Sequence, residues 1–152
     1  MLSYDFDKSQ LELRKYNELG NIETIERKRP KSSSTENFYY DKNGKVIRKE
    51  TSDDNQELYA VKEMKYHENG NIKEVTKVFY DAGIKIKNEY NKKGKIAKSN
   101  FDYPHCSLTT LFEYDKAGNL IKEYTYDEND NLIQLLESNY FEGEVEKSRT
   151  IF

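Results

Sequence analysis

Tryptophan is absent from these 152 residues, cysteine occurs once, and proline and histidine occur twice each. The single thiol, Cys106, rules out an internal disulfide. His67 and His105 have no partner at helical or hairpin ligand spacing, so neither a metal nor a cofactor is expected. His105 adjoins Cys106, but neighbours on an extended segment point to opposite sides, which turns the base away from the thiol. The seven glycines are singletons and never form Gly-x-Gly, so there is no phosphate loop. No apolar run approaches the length of a membrane span, and Met-Leu-Ser-Tyr-Asp-Phe-Asp-Lys has no basic start followed by an apolar stretch. A cytoplasmic chain without membrane contact is expected. Apolar and charged residues each make up 35% of the chain, too little apolar surface for a thick two-layer core.

Tyrosine is plentiful, with thirteen copies, and much of it is periodic. Six times a tyrosine is followed four places on by a turn residue and six places on by an aliphatic. The sets are Tyr16/Gly20/Ile22, Tyr40/Gly44/Val46, Tyr66/Gly70/Ile72, Tyr90/Gly94/Ile96, Tyr114/Gly118/Leu120 and Tyr126/Asp130/Leu132. The tyrosines are spaced by 24, 26, 24, 24 and 12 residues, which defines a half-repeat of about a dozen residues, long enough for one strand and one turn. High charge with low hydrophobicity is also the signature of disorder. The net charge of only -3 and the regular placement of aromatic and β-branched residues argue for a folded sheet.

Asp or Asn after the tyrosine can bond the backbone two residues on, and Gly at the fourth turn position permits the left-handed conformation that ends a type I turn with a bulge. Other turns are expected at Asp81 to Gly83 and Phe141 to Gly143, and looser, irregular connections near Arg27 to Glu36, Ser52 to Glu57 and Asp102 to Ser107. Unbroken alternation puts Leu108, Thr110, Phe112 and Tyr114 on one face, continued by Leu120, Lys122, Tyr124 and Tyr126 and then by Leu132. On the same argument Tyr66, Tyr80, Tyr90, Tyr114, Tyr126 and Tyr140 share that face with Ile72, Ile84, Ile96, Leu120 and Leu132. The second face keeps only isolated apolar residues: Val75, Phe79, Leu111, Ile121, Ile133 and Leu135. The expected fold is all-β: one domain over residues 1–152, a single curled antiparallel meander of about twelve strands, a half-barrel or open shell.

Charge is uneven along the chain. Residues 84–98 carry +5, but Lys85 and Lys87 project from the face opposite Tyr90, as a solvated exterior requires, so nucleic-acid binding is not expected. Residues 113–146 carry -8, which fits either a solvated edge or a surface that steers a basic partner. Asp41, Asp115 and Asp127 occupy the turn position where aspartate bonds backbone, so the abundant carboxylates do not make a case for glycoside chemistry.

The half-repeat Tyr114-Asp115-Lys116-Ala117-Gly118-Asn119-Leu120 resembles the YD repeat of Rhs-type proteins. Tyr66-His67-Glu68-Asn69-Gly70 is similar to the Tyr-x-x-Asn-Gly repeats of bacterial antitoxin-like proteins. The resemblance spans Tyr16 to Leu132 and is specific for the strand-turn-strand unit. Rhs-type arrays enclose a toxic domain, for which this chain is far too short. A small, acidic, catalytically empty protein of this kind is similar to the immunity proteins that accompany such toxins. The resemblance thus implies a non-enzymatic protein, monomeric when free, that binds and occludes a cognate protein toxin. Partner contacts are expected at the irregular connections, through Arg27, Arg29, Tyr103 and His105, and in the acidic third, through Glu123, Asp127 and Glu128. The alternatives are a fragment of a structural or cell-surface repeat array and a carbohydrate-active enzyme on a curled sheet.

Overall fold

The computed structural model describes residues 11–141 and 144–152, with no side-chain description at 141 and 144. Twelve strands occur among the described residues: β1 (Leu11–Tyr16), β2 (Ile22–Arg29), β3 (Ser32–Tyr40), β4 (Val46–Ser52), β5 (Leu58–Tyr66), β6 (Ile72–Phe79), β7 (Ile84–Tyr90), β8 (Ile96–Tyr103), β9 (Cys106–Tyr114), β10 (Leu120–Tyr126), β11 (Leu132–Phe141) and β12 (Glu144–Ile151). They follow one another in sequence order as an antiparallel meander, from β1 to β12. The described residues divide into two compact units, 11–65 with 76–82, and 66–75 with 83–141 and 144–152.

The tyrosine turns are built as their chemistry dictates. In the first, Gly20 N–H donates to the Asn17 carbonyl at 2.9 Å, Asn17 N–H donates to the Asn21 carbonyl at 2.8 Å, and Gly20 sits at φ 79°. The Asn17 side-chain oxygen accepts from the backbone of Leu19 and Asn21, each at 3.0 Å. Asp41, Asn91 and Asp127 do the same for the residues two and four places on. Asp115 accepts from Asn119 N–H at 2.7 Å.

All three connections expected to be loose are tight. Ser52 to Leu58 is a seventh copy of the repeat turn: Asp53 accepts from Asn55 and Glu57 N–H, Ser52 stands opposite Leu58, and Gln56 takes the glycine position at φ 65°. It escaped the motif because serine replaces the tyrosine and glutamine the glycine. Arg29 and Ser32 face each other across the two residues Pro30 and Lys31, and Tyr103 and Cys106 across Pro104 and His105. Both prolines thus open two-residue turns, where their fixed φ suits the first turn position. The turn expected at Phe141 to Gly143 lies outside the described residues.

The expected alternation fails at one recurring point. In the first unit Tyr16 pairs with Ile22 but Lys15 with Thr24, leaving Glu23 without a partner, and Tyr40 pairs with Val46 but Tyr39 with Arg48, leaving Ile47 without one. In the second unit Tyr114 pairs with Leu120 but Glu113 with Lys122, which isolates Ile121. The same slip isolates Ala97 and Ile133. Such a bulge shifts the alternation by one residue. Lys122, Tyr124 and Tyr126 therefore share the face of Glu113, Leu111 and Thr109, opposite Tyr114. Tyr126 and Leu132 leave the face of Tyr90, Tyr114 and Tyr140.

The slip decides what is buried. Burial is shallow: among the described residues only Ile25, Thr51, Val61, Val75 and Ser99 are buried. Four of these follow a post-turn aliphatic by three places: Ile25 after Ile22, Val61 after Leu58, Val75 after Ile72 and Ser99 after Ile96. Straight alternation would have chosen the second or fourth place. Val75, placed on the weak second face by that alternation, is 5% exposed.

Candidate functional site

The residues expected to meet a partner have different surroundings. Arg27 lies within β2, directly opposite Glu12 and diagonal to Glu36, and bonds both carboxylates at 2.8 Å. Its guanidinium is thus bonded to both neighbouring strands. Arg29 ends β2 in an exposed position next to the Pro30 turn.

The ion pairs around Arg27 extend along that face of the first unit. Glu36 bonds Lys49 at 2.5 Å as well as Arg27. Burial pushes the Glu36 carboxyl up, but hydrogen bonds from Lys49 and Arg27 outweigh it and hold the carboxyl below the usual range. Lys49 in turn stands directly opposite Lys62. On the other face Arg48 bridges Glu50 at 2.8 Å and Glu63 at 2.7 Å, and Tyr39 donates to Glu50 at 2.8 Å.

In the second unit the structure brings four of the expected residues together. The Pro104–His105 turn and the Asp127–Asn131 turn close the same end of neighbouring hairpins, and Ser107 N–H reaches a Glu128 carboxylate oxygen at 3.5 Å. Tyr103 is 41% exposed and lies parallel to Phe101, with ring centroids 6.4 Å apart. His105 and Glu128 are exposed. Asp127 supports this end from within the turn. The Asn131 side-chain amide and the N–H groups of Asn131 and Asn129 hold its carboxylate, and these bonds, the Asn131 side chain first, keep it well ionised.

Glu123 stands apart from this cluster. It lies within β10 between Phe112 and Leu136, half-buried, at the position that Ser99 and Val75 occupy in their own hairpins. The bulge at Ile121 turned it there, and its charge adds to burial in raising the Tyr114 hydroxyl.

At the other end of these hairpins polar groups fasten one turn to the next. His67 Nε2 lies 2.8 Å from the Tyr90 carbonyl, Asn69 and Asn71 donate to the Lys92 carbonyl, and Lys95 donates to the Gly118 carbonyl. Lys87 bonds Glu74 and Glu89 at 3.1 Å each. Among the described residues no group of three His, Cys, Asp or Glu side chains could hold a metal ion.

No protein-family model matches the chain, and no curated protein sequence matches it. Solved structures do share its fold. A chain in the Photorhabdus luminescens Tc holotoxin pore carrying the TccC3-D651A mutation aligns with a TM-score of 0.54 at 10% identity over 92% of this chain. A chain in the TcdB2-TccC3-TEV structure aligns at 0.55 and 15% identity over 85%, and one in TcdB2-TccC3-Cdc42 at 0.56 and 9% identity over 92%. This chain spans 9%, 7% and 9% of those chains respectively. At such identities the likeness is one of fold.

Proposed function

We propose that the protein is an immunity protein that binds a cognate bacterial toxin and occludes it, without catalysis and without a cofactor. The observation that carries this reading is the exposed group Tyr103, His105 and Glu128, an aromatic, an imidazole and a carboxylate at adjoining turn tips. Aromatic side chains of this kind anchor interfaces, and a neighbouring acid speeds association with a basic partner. The shared fold with chains of toxin complexes supports a toxin-associated role, alongside the resemblance to antitoxin-like repeats.

The test is co-expression with the toxin encoded beside the gene. Wild type should protect cells, and Tyr103→Ala with His105→Ala should weaken the complex by about thirtyfold or more, the loss of at least one interface anchor of about 2 kcal/mol. Glu128→Lys should slow association at low salt. Failure of the wild type to bind or protect would refute the reading; unaltered variants would refute the surface.

The small share of the matched toxin-complex chains that this chain spans favours a second reading, one stretch of a longer repeat array. An immunoblot of source cells decides it: a product near 18.0 kDa opposes the array, and a much larger one supports it.

A further inference from the structure

The face of the first unit that carries Arg27 is not balanced in charge. Glu12 and Glu36 are the carboxylates of its ion-pair chain; Glu12 is engaged by Arg14 and Arg27, and Glu36 by Arg27 and Lys49. Beyond Lys49 the chain of charges continues with lysine only. Lys49 stands directly opposite Lys62, and Lys77 lies within electrostatic reach of Lys62. Among the described residues neither Lys62 nor Lys77 has a carboxylate partner.

Like charges directly opposite on a sheet destabilise it. Burial, first, and then the charges of Lys77 and Lys49 press the Lys62 ammonium below the ordinary lysine range. These lysines line a depression of 330 Å³ together with Glu36, Thr51, Tyr59, Phe79 and their neighbours. Thr51 and Ala60, paired across β4 and β5, are the small residues that leave the space open. Two aromatic rings, two hydroxyls and three ammonium groups line this cavity with a single carboxylate, Glu36, which is already bonded to Lys49; the excess of positive charge beside the rings complements an anion with an apolar body.

We propose that Lys49, Lys62 and Lys77 form a binding site for a phosphate-type dianion, with Tyr59 and Phe79 as walls for an apolar group attached to it. Three ammonium groups donate to the oxygens of the dianion, and its charge relieves their mutual repulsion. The site is separate from the turn tips assigned to a toxin and does not depend on that reading. The phosphoryl group could be free or esterified, and the rings favour the ester.

The experiment is calorimetric titration of the full chain with inorganic phosphate, phenyl phosphate and acetate. Phosphate and phenyl phosphate should bind saturably, the ester more tightly, and acetate should not. Lys62→Gln should weaken binding by about tenfold, the loss of one charge-assisted hydrogen bond, and Lys62→Gln with Lys77→Gln should abolish it. Both variants should melt no lower than wild type in the absence of anion, because a repulsion has been removed. Lys93→Gln, exposed in the 91–95 turn, should bind as wild type. The proposal is overturned if the wild type shows no saturable binding, if the double variant binds as well as the wild type, or if Lys93→Gln is weakened equally.

Discussion

The hydroxyl of Tyr114 donates to the carbonyl oxygen of Ile96 at 2.8 Å, across eighteen residues of sequence. Tyr40 makes the same bond to Ile22 at 2.5 Å, and Tyr140 bonds the carbonyl of Leu120 at 3.0 Å. Each acceptor is the post-turn aliphatic of the preceding same-end hairpin, at the edge of a bulge, where the ladder is interrupted. Tyr40, Tyr114 and Tyr140 therefore have a polar task beside their apolar one: the ring covers the sheet and the hydroxyl completes the neighbouring bulge.

Removing that hydroxyl should be measurable. Tyr114→Phe and Tyr40→Phe should each lower stability by about 1 kcal/mol, the usual net worth of such a bond. Tyr124→Phe, whose hydroxyl meets the exposed Glu113 at 3.3 Å, should be near neutral. Urea unfolding midpoints check this, and equal effects at all three positions would show that the bulge carbonyls do not need the tyrosine.

The one-residue slip gives a second expectation. Ile25 is 6% exposed and Ile47, a bulge residue, is 39% exposed, although both are aliphatic residues shortly after a repeat turn. Ile25→Ala should cost about 2 kcal/mol or more and Ile47→Ala under about 0.5 kcal/mol. Similar losses would show that the bulge does not select the core.

Two turn residues other than glycine hold the left-handed conformation, Gln56 at φ 65° and Asp130 at φ 61°. Gln56→Gly and Asp130→Gly should each raise stability, by about 0.5 kcal/mol after the extra freedom of glycine in the unfolded chain is counted. Gly94→Ala should do the reverse, by about 1 kcal/mol: an added Cβ would meet nothing within 4 Å, so the whole effect is backbone strain at φ 81°. Thermal or urea unfolding of the three variants distinguishes strain from packing.

The turn aspartates make stability acid-sensitive. Asp41 and Asp115 are held below the ordinary aspartate range chiefly by backbone N–H donors, and Asp127 first by the Asn131 side chain and then by backbone. A carboxyl depressed in the folded state contributes stability above its unfolded pKa and loses it as pH falls through the folded value. The urea midpoint should therefore fall on acidification below the ordinary aspartate range. Asn17 and Asn91 perform the same turn task without a charge. The triple replacement Asp41→Asn, Asp115→Asn, Asp127→Asn should keep the fold and flatten this acid limb; an unchanged slope would place the acid sensitivity in other carboxylates, such as Glu36.

The turns, the strand count and the meander were legible because their causes are local. Asp or Asn bonding the backbone two and four residues on, with glycine closing the turn, lies within five residues, and a tyrosine facing the aliphatic six places on follows from it. Even the turn at Asp53 to Glu57 has the same local chemistry, hidden behind Ser52 and Gln56. What pattern could not state is the bulge after each aliphatic, because a bulge is a property of two strands bonded together and leaves each strand's own alternation unmarked. From that one residue follow the burial of Ile25 and Ser99, the removal of Glu123 from the exposed acids and the transfer of Tyr126 to the other face. Arg27 and Lys62 illustrate the same division. Each reads in sequence as one charge among many, and only the cross-strand register decided that Arg27 stands against two carboxylates while Lys62 stands against another lysine.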